Sequence, residues 1–291
     1  MIKFRHVCIA LGLAIAACAS AQLQIRRLII FGDSLSDTGN LSSLTGGLYP
    51  GAHYYNGRFS NGPVWVERLA ADLGIVIPAP SRLGGTDYAY GGATTANGYS
   101  NLIIPNMGTQ LNMYLSVHTP APTDLFILLG GANDLFNGST DPTGSVSNIM
   151  NEVGRLYNAG ARKFLVANLP ALGETPRNYG TSDEASANAW SAGFDGLLDS
   201  QLASFHQAHP NARVYPLDLA TEFANVIADP GAYGFTDVRH SAFDGTNVVS
   251  DPDDYLFWDT VHPTRVGHIQ IGDYAALALP FPRHAPPSLG G

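Results

Sequence analysis

Leu28-Ile29-Ile30-Phe31-Gly32-Asp33-Ser34-Leu35-Ser36-Asp37-Thr38-Gly39-Asn40 runs from an apolar, strand-like segment directly into small and polar residues. A buried strand that stops at Gly-Asp-Ser must turn sharply, and Gly32 carries no Cβ to obstruct the turn. Ser34 is therefore expected where a helix would begin, with its hydroxyl exposed and backbone N–H groups pointing outward. That placement suits a nucleophile or an anion site. Ser, Asp and Asn also gather at ordinary helix caps, so this stretch alone leaves a plain turn equally open.

Near the C-terminus, Asp259-Thr260-Val261-His262-Pro263-Thr264 precedes a helical pattern through Val266, Ile269 and Tyr274. An Asp and a His three residues apart can share one turn. The carboxylate then accepts from imidazole Nδ1–H and turns Nε2 outward, which is the orienting half of a Ser-His-Asp triad. Pro263 suits a first helical position and holds His262 extended. The spacing also arises by chance, so a helix cap with an incidental histidine stays open here. A third run, 124–130, ends in Gly130-Gly131-Ala132-Asn133-Asp134, where Asn133 offers a side-chain donor to a developing oxyanion. Asp87-Tyr88-Ala89-Tyr90 leads into Gly91-Gly92-Ala93-Thr94-Thr95, where a glycine N–H could serve the same end. Nucleophile, donors and base at successive element ends form the set that acyl transfer requires.

In wording and order these blocks resemble the GDSL lipases and esterases, also called SGNH hydrolases, over about residues 26–279. Residues 31–40 match the first block, 88–95 the glycine block, 131–134 the Gly-x-Asn-Asp block and 259–262 the final Asp-x-x-His. Asn56-Gly57-Arg58-Phe59-Ser60-Asn61-Gly62-Pro63-Val64-Trp65 and Tyr255-Leu256-Phe257-Trp258 resemble the plant-lipase and thermolabile-hemolysin branch. The resemblance implies Ser34 as nucleophile with Asp259 and His262 as its partners. It implies an oxyanion hole from Ser34 N–H, Gly92 N–H and the Asn133 side chain, with Gly91 the alternative to Gly92. It implies the SGNH hydrolase fold, and a carboxylic ester as substrate: a lipid or short-chain ester, or an acetylated carbohydrate. Acyl transfer to an alcohol instead of water remains an alternative. No metal or organic cofactor is implied, and a monomer is expected.

Met1 to His6 carries Lys3 and Arg5, an apolar run 7–17 follows, and Ala19-Ser20-Ala21 offers small residues, which together read as a signal peptide over 1–21. A secreted or periplasmic protein follows. Ile15-Ala16-Ala17-Cys18 also resembles a lipobox, so lipid anchoring through Cys18 is the alternative to cleavage after Ala21. The apolar stretch falls short of the ~20 residues a membrane-spanning helix needs. Both cysteines, Cys8 and Cys18, lie in this leader, so a chain cut after Ala21 has neither disulfides nor thiolate metal ligands. Without Lys3 and Arg5 the formal charge goes from −9 to −11, which argues against nucleic acid as a partner.

Residues 22–291 are expected to form one domain, since no Ser- or Pro-rich linker interrupts them. Strands are predicted near 26–31, 86–90, 124–130, 163–168 and 213–218, and helices over 63–73, 145–159 and 183–207. Such alternation predicts a three-layer αβα sandwich on a flavodoxin-like parallel sheet of about five strands, with ligands at the strands' carboxyl ends. A flavodoxin-like cofactor binder or a non-catalytic carbohydrate-binding relative would share that sheet, but the former gives Asp259 and His262 no role.

Several features carry less. Tyr49, Tyr54, Tyr55 and Phe59 either wall a site or pack their own loop. Asp251-Pro252-Asp253-Asp254 lacks the glycine and distal glutamate of an EF-hand and reads as a solvated turn. His53, His118, His206, His209, His240 and His268 are expected as surface or capping residues, and 229–254 as a loop at the site mouth.

Overall fold

A computed structural model describes residues 25–280; the expected leader, with Cys18 and Ala21, lies outside them. In chain order the regular elements are β1 (Leu28–Gly32), α1 (Asn40–Leu44), α2 (Trp65–Asp72), β2 (Tyr99–Ser100), β3 (Ile104–Pro105) and α3 (Met107–Val117). Next come β4 (Leu125–Leu129), α4 (Ala132–Phe136), α5 (Thr143–Ala159), β5 (Lys163–Ala167), α6 (Glu184–Ala208) and β6 (Arg213–Leu217). The chain continues through α7 (Leu219–Ala228), β7 (Asp237–Ser241), β8 (Tyr255–Phe257) and α8 (Arg265–Ala278).

β1, β4, β5 and β6 pair in parallel, in the order β1-β4-β5-β6. The first three are apolar and buried at nearly every position, a pattern that only a sheet covered on both faces can satisfy. Alternate side chains separate into two cores. Leu28 and Ile30 join Trp65 and Leu69 of α2, Phe223 of α7 and Ile271 of α8. Ile29 and Phe31 face Leu111 of α3, Val153 of α5 and Phe194 of α6. The result is the expected αβα sandwich. Each fully buried Leu, Ile or Phe contributes about 1.5–3 kcal/mol.

The predicted strand at 86–90 lies along the free edge of β1 as an irregular extended segment. Ile30 N–H donates to Thr86 O (3.2 Å), Tyr88 N–H to Ile30 O (2.8 Å) and Tyr90 N–H to Gly32 O (3.2 Å). The side chain of Asp87 folds back, accepting from Ala89 N–H at 2.8 Å and from both Thr38 N–H and Oγ1 at 2.7 Å. Counted with this segment, the strands run 2-1-3-4-5 in chain order, the flavodoxin-like arrangement. Its direction reverses between β1 and β4, where such sheets open a crevice.

Three local expectations change. α2 begins at Trp65, two residues later than predicted, because the Glu67 carboxylate accepts the Val64 N–H at 2.9 Å and caps the helix there. α3 and α7 went unpredicted, although Met107, Leu111 and Tyr114 do fall on one face and Asp218 caps α7 by accepting from Thr221 N–H at 3.1 Å. The predicted loop 229–254 contains β7, which pairs in parallel with β8.

Candidate active site

The site is built at the carboxyl ends of β1 and β4. A Cβ on Gly32 would stand 2.2 Å from Leu129 O, so this glycine serves the close approach of β4 more than the turn that follows. Gln110 of α3 holds both polar groups of Gly32, donating to its carbonyl at 2.8 Å and accepting its N–H at 2.9 Å. Ser36 and Asp37 N–H then close a single turn on Asp33 O at 3.2 and 3.1 Å. Ser34 therefore sits in an isolated turn, and no helix begins until Asn40. The delay comes from Asp37, whose carboxylate accepts from Gly39 N–H (2.8 Å), Asn40 N–H (2.5 Å) and Leu41 N–H (3.1 Å) and so caps α1. Ser34 is also not exposed: at 6% accessibility it lies at the floor of a cavity.

Asp37 has a second task. Its Oδ2 accepts the Gly91 N–H at 2.8 Å, so that amide points inward. Gly92, at φ +81°, lines the cavity, and its N–H has no partner among the described residues. Asn133 reaches the cavity from the first turn of α4, after Gly131 at φ +126°. One hydrogen of its amide goes to Ala93 O at 3.0 Å, which fixes the group and leaves the other hydrogen for the cavity. Asp134 ties the two loops together, accepting from Thr95 N–H (3.0 Å), Thr95 Oγ1 (2.7 Å) and Ser145 Oγ (3.0 Å).

Asp259 and His262 share one turn after β8. Asp259 Oδ1 accepts from Val261 N–H at 2.9 Å and His262 N–H at 2.8 Å, and His262 Nδ1 lies 2.7 Å from Oδ2. On the other side of the ring, Nε2 is 2.7 Å from Ser34 Oγ. The carboxylate requires the proton on Nδ1, which leaves Nε2 to accept from the serine hydroxyl. The phenyl ring of Phe59 stands 5.1 Å from the imidazole. Pro263 is not the first residue of a helix. It bridges back to Phe257, Trp258 N–H bonds His262 O at 2.7 Å, and α8 starts at Arg265 with Thr264 as its cap. Burial pushes the Asp259 carboxyl up, but the His262 ring and the two backbone N–H groups outweigh it and hold the group at about 2. Burial raises Asp33, beneath Ser34, to about 7 against the Leu35 N–H that it accepts.

The sequence reading missed the Tyr54 hydroxyl, which donates to Asp259 Oδ2 at 2.7 Å; the tyrosine was visible only as one of several loop aromatics. The expectation that none of the other histidines follows an Asp at the Asp-x-x-His spacing fails at Asp237-Val238-Arg239-His240, which repeats it. His240 Nδ1 lies 2.8 Å from Asp237 Oδ2, but the His240 side chain is 75% exposed and does not line the cavity. His268, unlike His240, is not at the surface: fully buried on α8, it accepts the N–H of Trp65, the first residue of α2, at Nδ1 (3.2 Å), and burial lowers it to about 3. Asp253 pairs with Arg265, its Oδ1 2.7 Å from Nε. Among the described residues no group of three or more His, Cys, Asp or Glu could hold a metal ion.

The cavity above Ser34 has a volume of about 340 Å³ and is walled by Leu35, Phe59, Phe136, Leu169, Leu172, Phe223 and Val261, with Arg177 among its polar residues. A neighbouring cavity of about 270 Å³ shares Pro170, Thr175, Phe223 and Phe257 with it. The Arg177 guanidinium lies 4.4 Å above the Phe136 ring.

An imidazole set between a hydroxyl and a carboxylate, facing unpaired N–H donors across an apolar cavity, has the layout of a hydrolase that works on acyl groups. The chain belongs to the GDSL-like lipase/acylhydrolase family, whose profile matches residues 28–275, and so to the carboxylic ester hydrolases. It is 32% identical over 234 residues to a phosphatidylcholine-sterol acyltransferase of Aeromonas hydrophila, covering 78% of this chain and 68% of that protein. It is 26% identical over 216 residues to a secreted effector protein of Salmonella typhimurium, covering 72% of this chain but only 51% of that protein. Among solved structures, a carbohydrate acetylesterase from Sinorhizobium meliloti superposes with a TM-score of 0.52 at 19% identity, over 87% of this chain and 96% of that one, a likeness of fold.

Proposed function

We propose that this protein cleaves carboxylic esters through a Ser34 acyl-enzyme. The observation that carries the reading is one imidazole joining two distant parts of the chain, Nε2 at 2.7 Å from Ser34 Oγ and Nδ1 at 2.7 Å from Asp259 Oδ2. His262 Nε2 takes the hydroxyl proton as Oγ attacks the ester carbon. The carbonyl electron pair moves to oxygen, where Ser34 N–H, Gly92 N–H and the free hydrogen of Asn133 hold it. Asp259 keeps the imidazolium oriented, and Nε2 passes its proton to the departing alkoxide. Water then gives a proton to Nε2 as it attacks the acyl carbon, the bond from that carbon to Oγ breaks, and Nε2 returns its proton to Oγ, which releases the acid and restores Ser34. No step calls for a metal or an organic cofactor.

The apolar walls favour an ester with a hydrocarbon acyl group over an acetylated carbohydrate. An alcohol entering in place of water would turn the same steps into acyl transfer, a second reading favoured by the acyltransferase of Aeromonas hydrophila among the relatives. The secreted relative supports export, with residues 1–21 as leader and Cys18 as the alternative anchor. One domain over 22–291, acting as a monomer, completes the proposal. The test is turnover of p-nitrophenyl esters from acetate to palmitate beside acetylated xylan, with and without EDTA. The expected result is hydrolysis that improves beyond acetate, is insensitive to EDTA and is absent in Ser34→Ala. Release of acetate from xylan with no activity on longer acyl esters would overturn the substrate, and undiminished activity in Ser34→Ala would overturn the mechanism.

A further inference from the structure

The two Asp-x-x-His turns of this chain have nearly the same local bonding, and one contact separates their carboxylates. Asp237 Oδ1 accepts Arg239 and His240 N–H at 2.8 and 2.9 Å, as Asp259 Oδ1 accepts Val261 and His262 N–H at 2.9 and 2.8 Å. Each histidine then meets Oδ2 of its own aspartate through Nδ1. Only Asp259 receives a further donor there, the Tyr54 hydroxyl, which comes from a loop 205 residues away in sequence. We propose that Tyr54 is a positioning residue for ester cleavage, setting the orientation and basicity of the Asp259 carboxylate and through it the proton affinity of His262.

The tyrosine is held for this role. Its ring meets Phe59, Phe243 and Trp258 edge-on, with centroids 6.1, 5.9 and 6.3 Å away. Burial and the adjacent Asp259 carboxylate raise the phenol well above its ordinary range, so it stays protonated and remains a donor. A neutral donor on Oδ2 does two things. It stops the carboxylate from rotating away from Nδ1, and it takes up part of the electron density that would otherwise stabilise imidazolium. Held this way, the carboxylate keeps Nδ1 as the donor and leaves Nε2 turned to the Ser34 hydroxyl. Asp33 beneath Ser34 and His268 on α8 also interact electrostatically with His262, and Arg177, whose N–H donates to Thr260 O at 2.9 Å, lines the same cavity.

This inference rests on the acyl-enzyme reading above, and the experiment separates the two. Tyr54→Phe deletes the hydroxyl and keeps the ring among its aromatic neighbours. The expected result is kcat/KM down by about 3- to 10-fold, carried by kcat with KM steady, as for loss of one hydrogen bond. The acid limb of the kcat/KM profile should move up by roughly half a pH unit, and the melting temperature should hold. In an Asp259→Asn background the same substitution should cost nothing further, because the phenol acts through the carboxylate. An unmoved acid limb, whether or not kcat falls, overturns the proposal, as does an equal loss in both backgrounds. Full activity in Asp259→Asn alone would overturn the acyl-enzyme reading first, and Tyr54 with it.

Discussion

The turn at Asp237–His240 and the turn at Asp259–His262 show how little of the proposed catalytic pair lies in its spacing. Both aspartates accept two backbone N–H groups, and both histidines meet Oδ2 through Nδ1, at 2.8 and 2.7 Å. Their surroundings differ. The first pair has side-chain exposures of 75% for His240 and 27% for Asp237, the second 13% for His262 and 14% for Asp259. The second also has Phe59 beside the ring, Tyr54 on the carboxylate and Ser34 at Nε2. Four residues of sequence suffice to make the turn, whereas the chemistry needs a sheet end and a loop of aromatics brought to it from far along the chain.

That contrast can be broken most forcefully at the histidines. His262→Ala should lower kcat by about 10⁴-fold or more, since it removes the proton acceptor for Ser34. The next effect in size concerns the opposite wall of the cavity. Asn133→Ala should lower kcat by about 10²–10³ with KM little changed, because its donor matters only once charge develops on the carbonyl oxygen. Kinetics and a thermal melt of one preparation decide this, and near-normal kcat with a lowered melting temperature would reduce Asn133 to an anchor for Ala93.

A smaller effect is expected in stability. The folded Asp259 carboxyl lies at about 2, below its unfolded value, so its contribution is present above about pH 4 and is lost as pH falls through about 2. Asp259→Asn should therefore cost roughly 1–3 kcal/mol at pH 7, a difference that closes on acidification in urea titrations. Asp237 is held low as well: burial opposes this, but the backbone N–H groups and His240 prevail. Being more exposed, it should give less than about 1 kcal/mol in the same experiment. The smallest effect belongs to His240→Ala, for which kcat should stay within about twofold of the parent. A larger loss would give the second turn a part in turnover.

Much of this was legible in the chain. The apolar runs at 28–32, 125–129 and 163–167 are buried on both faces, so composition alone marked them as central strands. Ser34, Gly92, Asn133, Asp259 and His262 stood in short blocks whose spacing survives folding, and the structure gathers all but Asp259 in the wall of one cavity. What stayed hidden was set by long-range contacts. Gly91 and Gly92 differ through Asp37, whose side chain takes the Gly91 N–H from 54 residues away. Gln110 holding Gly32 and Tyr54 holding Asp259 leave no local pattern at all. His240 shows the converse, a local pattern with no tertiary setting to make use of it.

The central claim is that Ser34 is the nucleophile and depends on His262 for its reactivity. Incubating the purified protein with a fluorophosphonate and mapping the adduct by peptide mass spectrometry tests it most directly. The account predicts a single adduct on Ser34, abolished in Ser34→Ala, strongly slowed in His262→Ala and undiminished in His240→Ala. An adduct on another serine, or labelling of Ser34 at the parent rate in His262→Ala, would contradict it.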